Sequence, residues 1–209
     1  MCAVGLVDGR QLLASGGDDR VVRLWDPASG AEVRALEGHI GWVDALCGVV
    51  VDRRQLLASA DGAGMVRLWD PASGAEVRAL KAHTGSVWAL CGVVVDGRQL
   101  LASSGEDQVV RLWDPASGAE VRALQGHTGP VHALCAVAVD GRQLLASAGN
   151  DQTLLVWDPA GGKLQYSIHC RIPIRSLVGL GAATLIAALE HGLIALSLQE
   201  EISGTLLEL

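Results

Sequence analysis

The fold of this chain is decided by the stretch Val110–Leu124, which reads VRLWDPASGAEVRAL. The same letters occur at 22–36 and 66–80, and a shortened copy, VWDPAGG, begins at Val156. The tryptophans of the four copies lie 44 residues apart, at Trp25, Trp69, Trp113 and Trp157. A constant period of this size predicts a repeat architecture in which each copy forms one unit of a shared core.

Each unit reads as four short β-strands joined by turns. In the third unit, the apolar run Val87–Val95 is followed by Asp96 and Gly97, a pair that favours a tight hairpin turn. The return strand is expected from Gln99, and the two remaining strands flank the Asp-Pro-Ala-Ser-Gly turn that begins at Asp114. Four antiparallel strands in each repeat are typical of a β-propeller, so the predicted fold class is all-β.

The composition supplies a core but argues against nucleic acid as a partner. Half of the 209 residues are hydrophobic, although there is no Phe and only one Tyr. Val, Leu, Ala and the six Trp must therefore fill the core. The formal net charge of −7 is unfavourable for a nucleic-acid-binding surface, which needs clustered basic residues.

The cysteines and the apolar runs indicate a cytoplasmic chain without a membrane segment. Cys47, Cys91 and Cys135 recur with the period of the repeat and are expected to be buried small side chains in a reducing compartment. Met1 is not followed by the basic start of a signal peptide. The apolar run 176–189 is shorter than the roughly 20 residues of a membrane-spanning helix.

Motifs at fixed places in each unit resemble the WD-repeat family. Trp-Asp ends the third strand, Gly-His precedes units two and four (Gly38-His39 and Gly126-His127), and Ser-x-x-x-Asp separates the second and third strands. In that family the His, Ser, Asp and Trp of a repeat form a hydrogen-bonded tetrad that ties the strands together. The resemblance implies two complete tetrads here: His83, Ser103, Asp107 and Trp113, and His127, Ser147, Asp151 and Trp157.

The same residue types could be mistaken for catalytic groups. A set that repeats in register with the fold belongs to the scaffold, whereas an active site is built once in a pocket. We therefore predict no catalytic residues and no enzymatic activity. The adjacent pair His169 and Cys170 lacks the spacing of metal ligands, so neither a metal nor another cofactor is expected.

The second unit departs from the pattern at two positions. Ala63 occupies the column that holds Asp19, Asp107 and Asp151, so His39 is expected to lack its acceptor and the unit to be softer by roughly 1–3 kcal/mol. Arg53 stands where the other hairpins have Gly, at a position that favours positive φ.

The strand pattern predicts one β-propeller domain over residues 1–209, with five blades. Four further strands without Trp-Asp are expected at 172–178, 184–189, 193–198 and 202–209. The predicted blades are residues 2–37, 42–81, 86–125, 130–168 and 172–209. A closed five-bladed ring is favoured because both termini fall at blade edges. The alternative is an open arc, by itself or as part of a longer propeller, whose exposed apolar faces would promote self-association.

Specificity is expected where the units differ from one another. Three variable columns stand out, and in WD-repeat proteins the matching positions line the top rim of the ring, where partners dock. We predict a partner-binding rim formed by Trp42, Asp44, Trp88, His132, Asp18, Glu106 and Asn150. Exposed tryptophans are typical anchors of interfaces, and the carboxylates suit a basic partner.

Three functions are compatible with the sequence. The favoured one is a non-catalytic scaffold that binds a protein or peptide on the rim, whose carboxylates suit a basic partner. A second is an incomplete or recently amplified array without a partner of its own, which the near-identity of three units supports. A third is a propeller enzyme with its site in the channel, for which His132 alone near the rim gives little support.

Overall fold

The protein is described by a computed structural model, which covers residues 2–7, 10–180, 183–189 and 192–198. Nineteen strands form five antiparallel sheets in these residues, and none of them is helical. The predicted all-β, propeller-like fold is confirmed. Each sheet pairs its strands in chain order, so each blade is continuous in sequence.

In the part of the chain that the structure describes, the first four blades have four strands each and the fifth has three. The first blade consists of β1 (Cys2–Val7), β2 (Arg10–Ser15), β3 (Val22–Trp25) and β4 (Glu32–Leu36). The second consists of β5 (Val43–Val51), β6 (Arg54–Asp61), β7 (Met65–Trp69) and β8 (Glu76–Lys81). The third consists of β9 (Val87–Val95), β10 (Arg98–Gly105), β11 (Val110–Trp113) and β12 (Glu120–Leu124). The fourth consists of β13 (Val131–Val139), β14 (Arg142–Gly149), β15 (Thr153–Asp158) and β16 (Lys163–His169).

The fifth blade consists of β17 (Ile174–Leu180), β18 (Thr184–Leu189) and β19 (Gly192–Ser197). The fourth strand predicted for it, 202–209, lies outside the described residues.

In the second, third and fourth blades, the hairpins between the first and second strands have the predicted turn geometry. Asp96 and Gly97 have φ of 49° and 75°, and the second blade repeats this with Asp52 at 48° and Arg53 at 63°. Arg53 therefore holds a left-handed conformation that costs a side-chain-bearing residue energy.

Neighbouring blades pack face to face through apolar side chains. Leu57 and Trp69 of the second blade pack in one cluster with Leu12, Val22 and Leu24 of the first. The same kind of cluster recurs at the next two interfaces, and a larger one joins the fourth and fifth blades. The first strands of successive blades lie next to one another and form the inner side of the array.

Within the described residues, the face of the first blade that points away from the second blade is less covered than the matching faces of the next three blades. Leu57, Leu101 and Leu145 are fully buried, whereas Leu13, in the same column, is only half-buried. Among the described residues, packing runs from the first blade to the fifth, without comparable contact between the fifth and the first. Closure of the five-bladed ring stays a prediction.

Polar contacts between blades recur with the period of the sequence. Arg34, Arg78 and Arg122 on the fourth strands each reach a backbone carbonyl in the next blade's Pro-Ala turn, at 2.8–3.1 Å. Gln99 and Gln143 accept backbone N–H groups of the preceding blade at 2.7 and 2.6 Å. These contacts fix the angle between successive blades.

The repeat cysteines are less uniformly buried than predicted. Cys135 is buried in the cluster shared with the fifth blade, whereas Cys47 and Cys91 are half-buried. The first strands carry these side chains at the inner side of the array, where sheets cover them incompletely. Burial raises the pKa of the Cys91 and Cys135 thiols to about 12, so both are protonated at neutral pH.

Candidate binding site on the rim

The tetrad of the third blade is a chain of short hydrogen bonds. Trp113 Nε1 donates to Ser103 Oγ at 2.9 Å, and Ser103 Oγ lies 2.7 Å from His83 Nε2. The other ring nitrogen, Nδ1, lies 2.7 Å from Asp107 Oδ1. The fourth blade repeats the chain at 2.7–2.8 Å with Trp157, Ser147, His127 and Asp151.

A neutral histidine satisfies every donor and acceptor in this chain. The indole N–H donates to the serine oxygen, the serine hydroxyl donates to Nε2, and Nδ1–H donates to the carboxylate. Burial lowers the pKa of His83 below its ordinary value, against the opposing effect of Asp107. In the third blade the tetrad therefore ties the loop before β9 to the second and third strands.

The second blade builds the same network with its carboxylate in another place. The prediction that His39 lacks an acceptor is wrong, because Asp61 Oδ2 lies 2.8 Å from His39 Nδ1. Ser59 Oγ lies 2.6 Å from His39 Nε2 and accepts the indole N–H of Trp69 at 2.7 Å. The softening expected from Ala63 therefore has no basis in an unpaired histidine.

Asp61 is completely enclosed, and backbone groups hold it as well. Its Oδ1 accepts the N–H groups of Ala63 and Met65, both at 3.0 Å. Burial by itself would raise the pKa of Asp61, but the hydrogen bonds from His39, Met65 and Ala63 outweigh it and lower that pKa. The carboxylate is therefore charged at neutral pH, as in the regular tetrads.

The column of Asp61 holds glycine in the third and fourth blades for a steric reason. A Cβ placed on Gly105 would lie 1.9 Å from the carbonyl oxygen of Ser86, and one on Gly149 would lie 2.0 Å from that of Pro130. The second blade accommodates a side chain at this position.

The arginine on the third strand has different partners in the two blades. In the second blade Arg67 pairs with Glu76, whereas Arg111 of the third blade donates to Asp107 at 2.7 Å and also pairs with Glu120.

Above this altered tetrad lies a shallow concave site of about 640 Å³, the rim depression. It is lined by Arg20, Ile40, Gly41, Trp42, Asp44, Gly62, Ala63, Ser86 and Trp88. Three predicted rim residues, Trp42, Asp44 and Trp88, thus meet in one place. Trp42 is 59% exposed, which is unusual for so large an aromatic side chain.

The depression carries negative charge at one point. Burial raises the pKa of Asp44 above its ordinary value, and the nearby carboxylates of Asp18 and Asp61 raise it further. Asp18 is exposed, and its side chain is on the rim but does not line the depression. Arg20 is the cation among the lining residues.

The far side of Trp88 is occupied by the fourth and fifth blades. Its ring stacks on His132 with centroids 4.3 Å apart and planes 9° from parallel. His132 Nε2 lies 3.0 Å from Asn150 Oδ1, which also accepts from Arg175 at 3.2 Å. Burial and the charge of Arg175 lower the pKa of His132, so the imidazole is neutral at neutral pH.

Glu106, like Asp18, is a predicted rim residue that belongs to neither group. Its carboxylate accepts the N–H of Ser86 at 3.3 Å and lies against Gly85. It therefore stabilises the loop before the third blade's first strand.

Sequence comparison missed Ile40, Arg20 and Arg175 as rim residues. Ile40 is 68% exposed and lines the depression. The contrast with Thr84 and Thr128 in the same column was the available indication. Arg175 belongs to a blade without the repeat motif, so no column located it.

Within the described residues, no cluster of three or more His, Cys, Asp or Glu has the arrangement of a metal site. These residues also include no helix with the length and hydropathy needed to cross a membrane.

The family model described as "WD domain, G-beta repeat" (WD40) matches residues 2–26, 30–70, 74–114 and 118–158. These matches cover more than half of the chain and follow its repeat. The chain belongs to the WD40 family. WD40 repeats are typical of protein-interaction scaffolds, and their shared tetrad explains why the polar network recurs with the sequence period.

Two curated proteins resemble single stretches of this WD40 chain. A probable serine/threonine-protein kinase PkwA of Thermomonospora curvata is 49% identical over 43 residues, which are 21% of this chain and 6% of the kinase. Nuclear distribution protein nudF 1 of Talaromyces marneffei is 42% identical over 45 residues, which are 22% of this chain and 10% of that protein. The aligned segments thus span a tenth or less of either relative, about the length of one repeat.

Proposed function

We propose that this WD40 chain is a non-catalytic scaffold that binds a peptide segment of another protein in the rim depression. The observation that carries the proposal is the meeting of Trp42, Trp88 and Asp44 in one concave site, with Trp42 59% exposed. Tryptophans that a partner buries on binding contribute much of the energy at typical interfaces.

The charges favour a peptide with a basic residue. The pKa of Asp44 is raised by burial and by the neighbouring carboxylates, so a cation placed beside it would relieve their repulsion. The exposed ring of Trp42 can add a cation–π contact with the same group. Arg20, on the lining of the depression, suits a carbonyl or carboxylate of the bound segment.

The tetrads support a scaffold over an enzyme. The serines Ser59, Ser103 and Ser147 are fully buried and hydrogen-bonded to their tryptophans, so a substrate has no access to their hydroxyls. On the rim, His132 is stacked on Trp88 and bonded to Asn150. A cytoplasmic location and the exclusion of nucleic acid and membranes remain predictions, as does self-association of an open arc.

The test is selection of peptides from a random displayed library on the purified chain, followed by affinity measurements. The variant is Trp42→Ala, and the matched control is Val77→Ala, since Val77 is 45% exposed on the outer strand of the same blade. Trp42→Ala should weaken binding about tenfold or more and leave the melting temperature nearly unchanged. Asp44→Asn should weaken binding of the basic peptides in particular.

Binding that is unaffected by Trp42→Ala, or equally weakened by Val77→Ala, would contradict the proposal. Selection of no peptide above background would also contradict it, provided that the chain is folded and monomeric during selection.

A further inference from the structure

The displaced carboxylate of the second blade changes the surface above it. In the fourth blade, Asp151 accepts the backbone N–H of Thr128 at 3.0 Å, and in the third blade Asp107 makes the longer equivalent contact with Thr84 at 3.5 Å. The regular tetrad carboxylate thus lies directly below a polar loop. In the second blade that column holds Ala63, and the carboxylate comes from Asp61, which is fully buried.

Apolar residues take the places that this change leaves. The column of Thr84 and Thr128 holds Ile40, which is 68% exposed. The column of Ser86 and Pro130 holds Trp42, and Ala63 lies in the same depression. The second blade therefore presents an aliphatic, an aromatic and a methyl side chain where the third presents two hydroxyls and a carboxylate.

The backbone holds these side chains in place. A Cβ on Gly41 would lie 2.8 Å from the N atom of Ala63 and 3.0 Å from that of Gly62, so the loop rests directly on the turn below it. Ile40 and Trp42, on either side of Gly41, are held over Ala63 by this close approach. Ile40, Trp42 and Ala63 therefore form a fixed apolar surface of the second blade.

We propose that moving the carboxylate from position 63 to position 61 creates an apolar subsite, and that the bound peptide carries a large aliphatic residue next to its basic one. This rests on the proposed function and specifies its ligand. The aliphatic side chain would lie on Ile40, Ala63 and Trp42, while the basic group meets Asp44. A tetrad carboxylate at 63 would put a polar, charged group beneath that side chain, where an unpaired polar contact is unfavourable.

The experiment measures the affinity of a synthetic peptide panel for the purified chain. Each peptide carries one arginine among glycine and serine residues, with leucine or serine at each neighbouring position in turn. For the wild type, the best leucine peptide should bind about tenfold more tightly than its serine counterpart, as expected for one well-buried aliphatic group. In Ile40→Thr the ratio should fall close to one.

Two further variants separate the subsite from the fold. Asp61→Gly/Ala63→Asp restores the regular carboxylate position and should reduce the leucine preference to the level of Ile40→Thr while the chain remains folded. Thr84→Ile places the same side chain in the third blade, above a regular tetrad, and should leave the panel unchanged.

The outcomes distinguish the two proposals. A leucine preference that survives in Ile40→Thr, or no leucine preference in the wild type, overturns the apolar subsite. Rim binding still stands in that case if Trp42→Ala weakens binding of the panel. A panel that binds equally well to Trp42→Ala, or not at all to the wild type, overturns both.

Discussion

The second and third blades have almost the same sequence and the same tetrad, but they differ in the origin of one carboxylate. In the third blade Asp107 lies near the surface, bonded to His83 and Arg111. In the second, Asp61 reaches His39 from two residues earlier in the chain and is fully enclosed. A repeat can therefore keep its internal network while the surface above that network acquires a different chemistry.

The largest expected effect comes from placing the second blade's carboxylate in the third blade. Gly105→Asp/Asp107→Ala should lower the free energy of unfolding by about 4 kcal/mol, because the new Cβ meets the carbonyl of Ser86 at 1.9 Å. Urea unfolding followed by tryptophan fluorescence measures it. A loss below that of Asp107→Ala alone would show that the two blades are interchangeable at this column.

Removing each carboxylate in its own blade should reveal the difference in burial. Asp61→Ala should lower the free energy of unfolding by about 3 kcal/mol and Asp107→Ala by about 2 kcal/mol. Asp61 serves one histidine and two backbone N–H groups with no exposure, whereas the side chain of Asp107 is 11% exposed. Equal losses in the two blades would contradict this explanation.

Acidification should lower the free energy of unfolding in two stages in both the second and the third blade. Burial lowers the pKa of His39 and His83 below 6.5, so stability is complete above that pH and declines as the unfolded chain takes up protons below it. Asp61 and Asp107 also have lowered pKa values, and in the fourth blade the pKa of Asp151 falls to about 2. Their contribution is present above pH 3.8 and is lost as the pH falls towards the folded-state values.

The measurement for this prediction is the free energy of unfolding as a function of pH. His39→Gln should flatten the slope just below pH 6.5, because one histidine no longer titrates there. Stability that rises on acidification through this range would contradict a neutral histidine in the tetrad.

The smallest effect is expected at the hairpin of the second blade. Arg53→Gly should raise the free energy of unfolding by about 0.5 kcal/mol, since relief of the left-handed conformation exceeds the entropy cost of glycine only slightly. The matched change in the third blade, Gly97→Arg, should lower it. A destabilising Arg53→Gly would indicate a contact of the arginine that outweighs its backbone strain.

The sequence predicted the blades because their turns and strands repeat, and local patterns fix both. Trp42, Trp88 and Asp44 were among seven predicted rim residues, and the structure brings these three together in the rim depression. That the rim binds a partner stays a prediction.

The prediction that His39 lacks an acceptor was wrong because aligning the repeats assigns the acceptor role to one position, 63. A hydrogen bond requires only that a carboxylate oxygen lie within reach, and Asp61 supplies one. Asp61 stands two residues before Ala63 in a column that otherwise holds glycine, and this departure was the available indication.

Contacts between blades could not be read from the sequence in the same way. Arg34 reaches the carbonyl of Ala72, 38 residues away, and nothing local to either residue specifies the angle between the sheets. The recurrence of arginine on the fourth strands was visible, but its partner depends on packing. Ring closure depends on the same kind of long-range geometry.

The most direct test of the carboxylate exchange is a double-mutant cycle within the second blade. Asp61→Gly should lower the free energy of unfolding by about 3 kcal/mol, because His39 and two backbone N–H groups lose their acceptor. Adding Ala63→Asp to that variant should restore most of the loss, although Ala63→Asp alone should give no gain. If Ala63→Asp fails to rescue Asp61→Gly, the carboxylates at 61 and 63 are not equivalent members of the tetrad, and the account of the second blade is wrong.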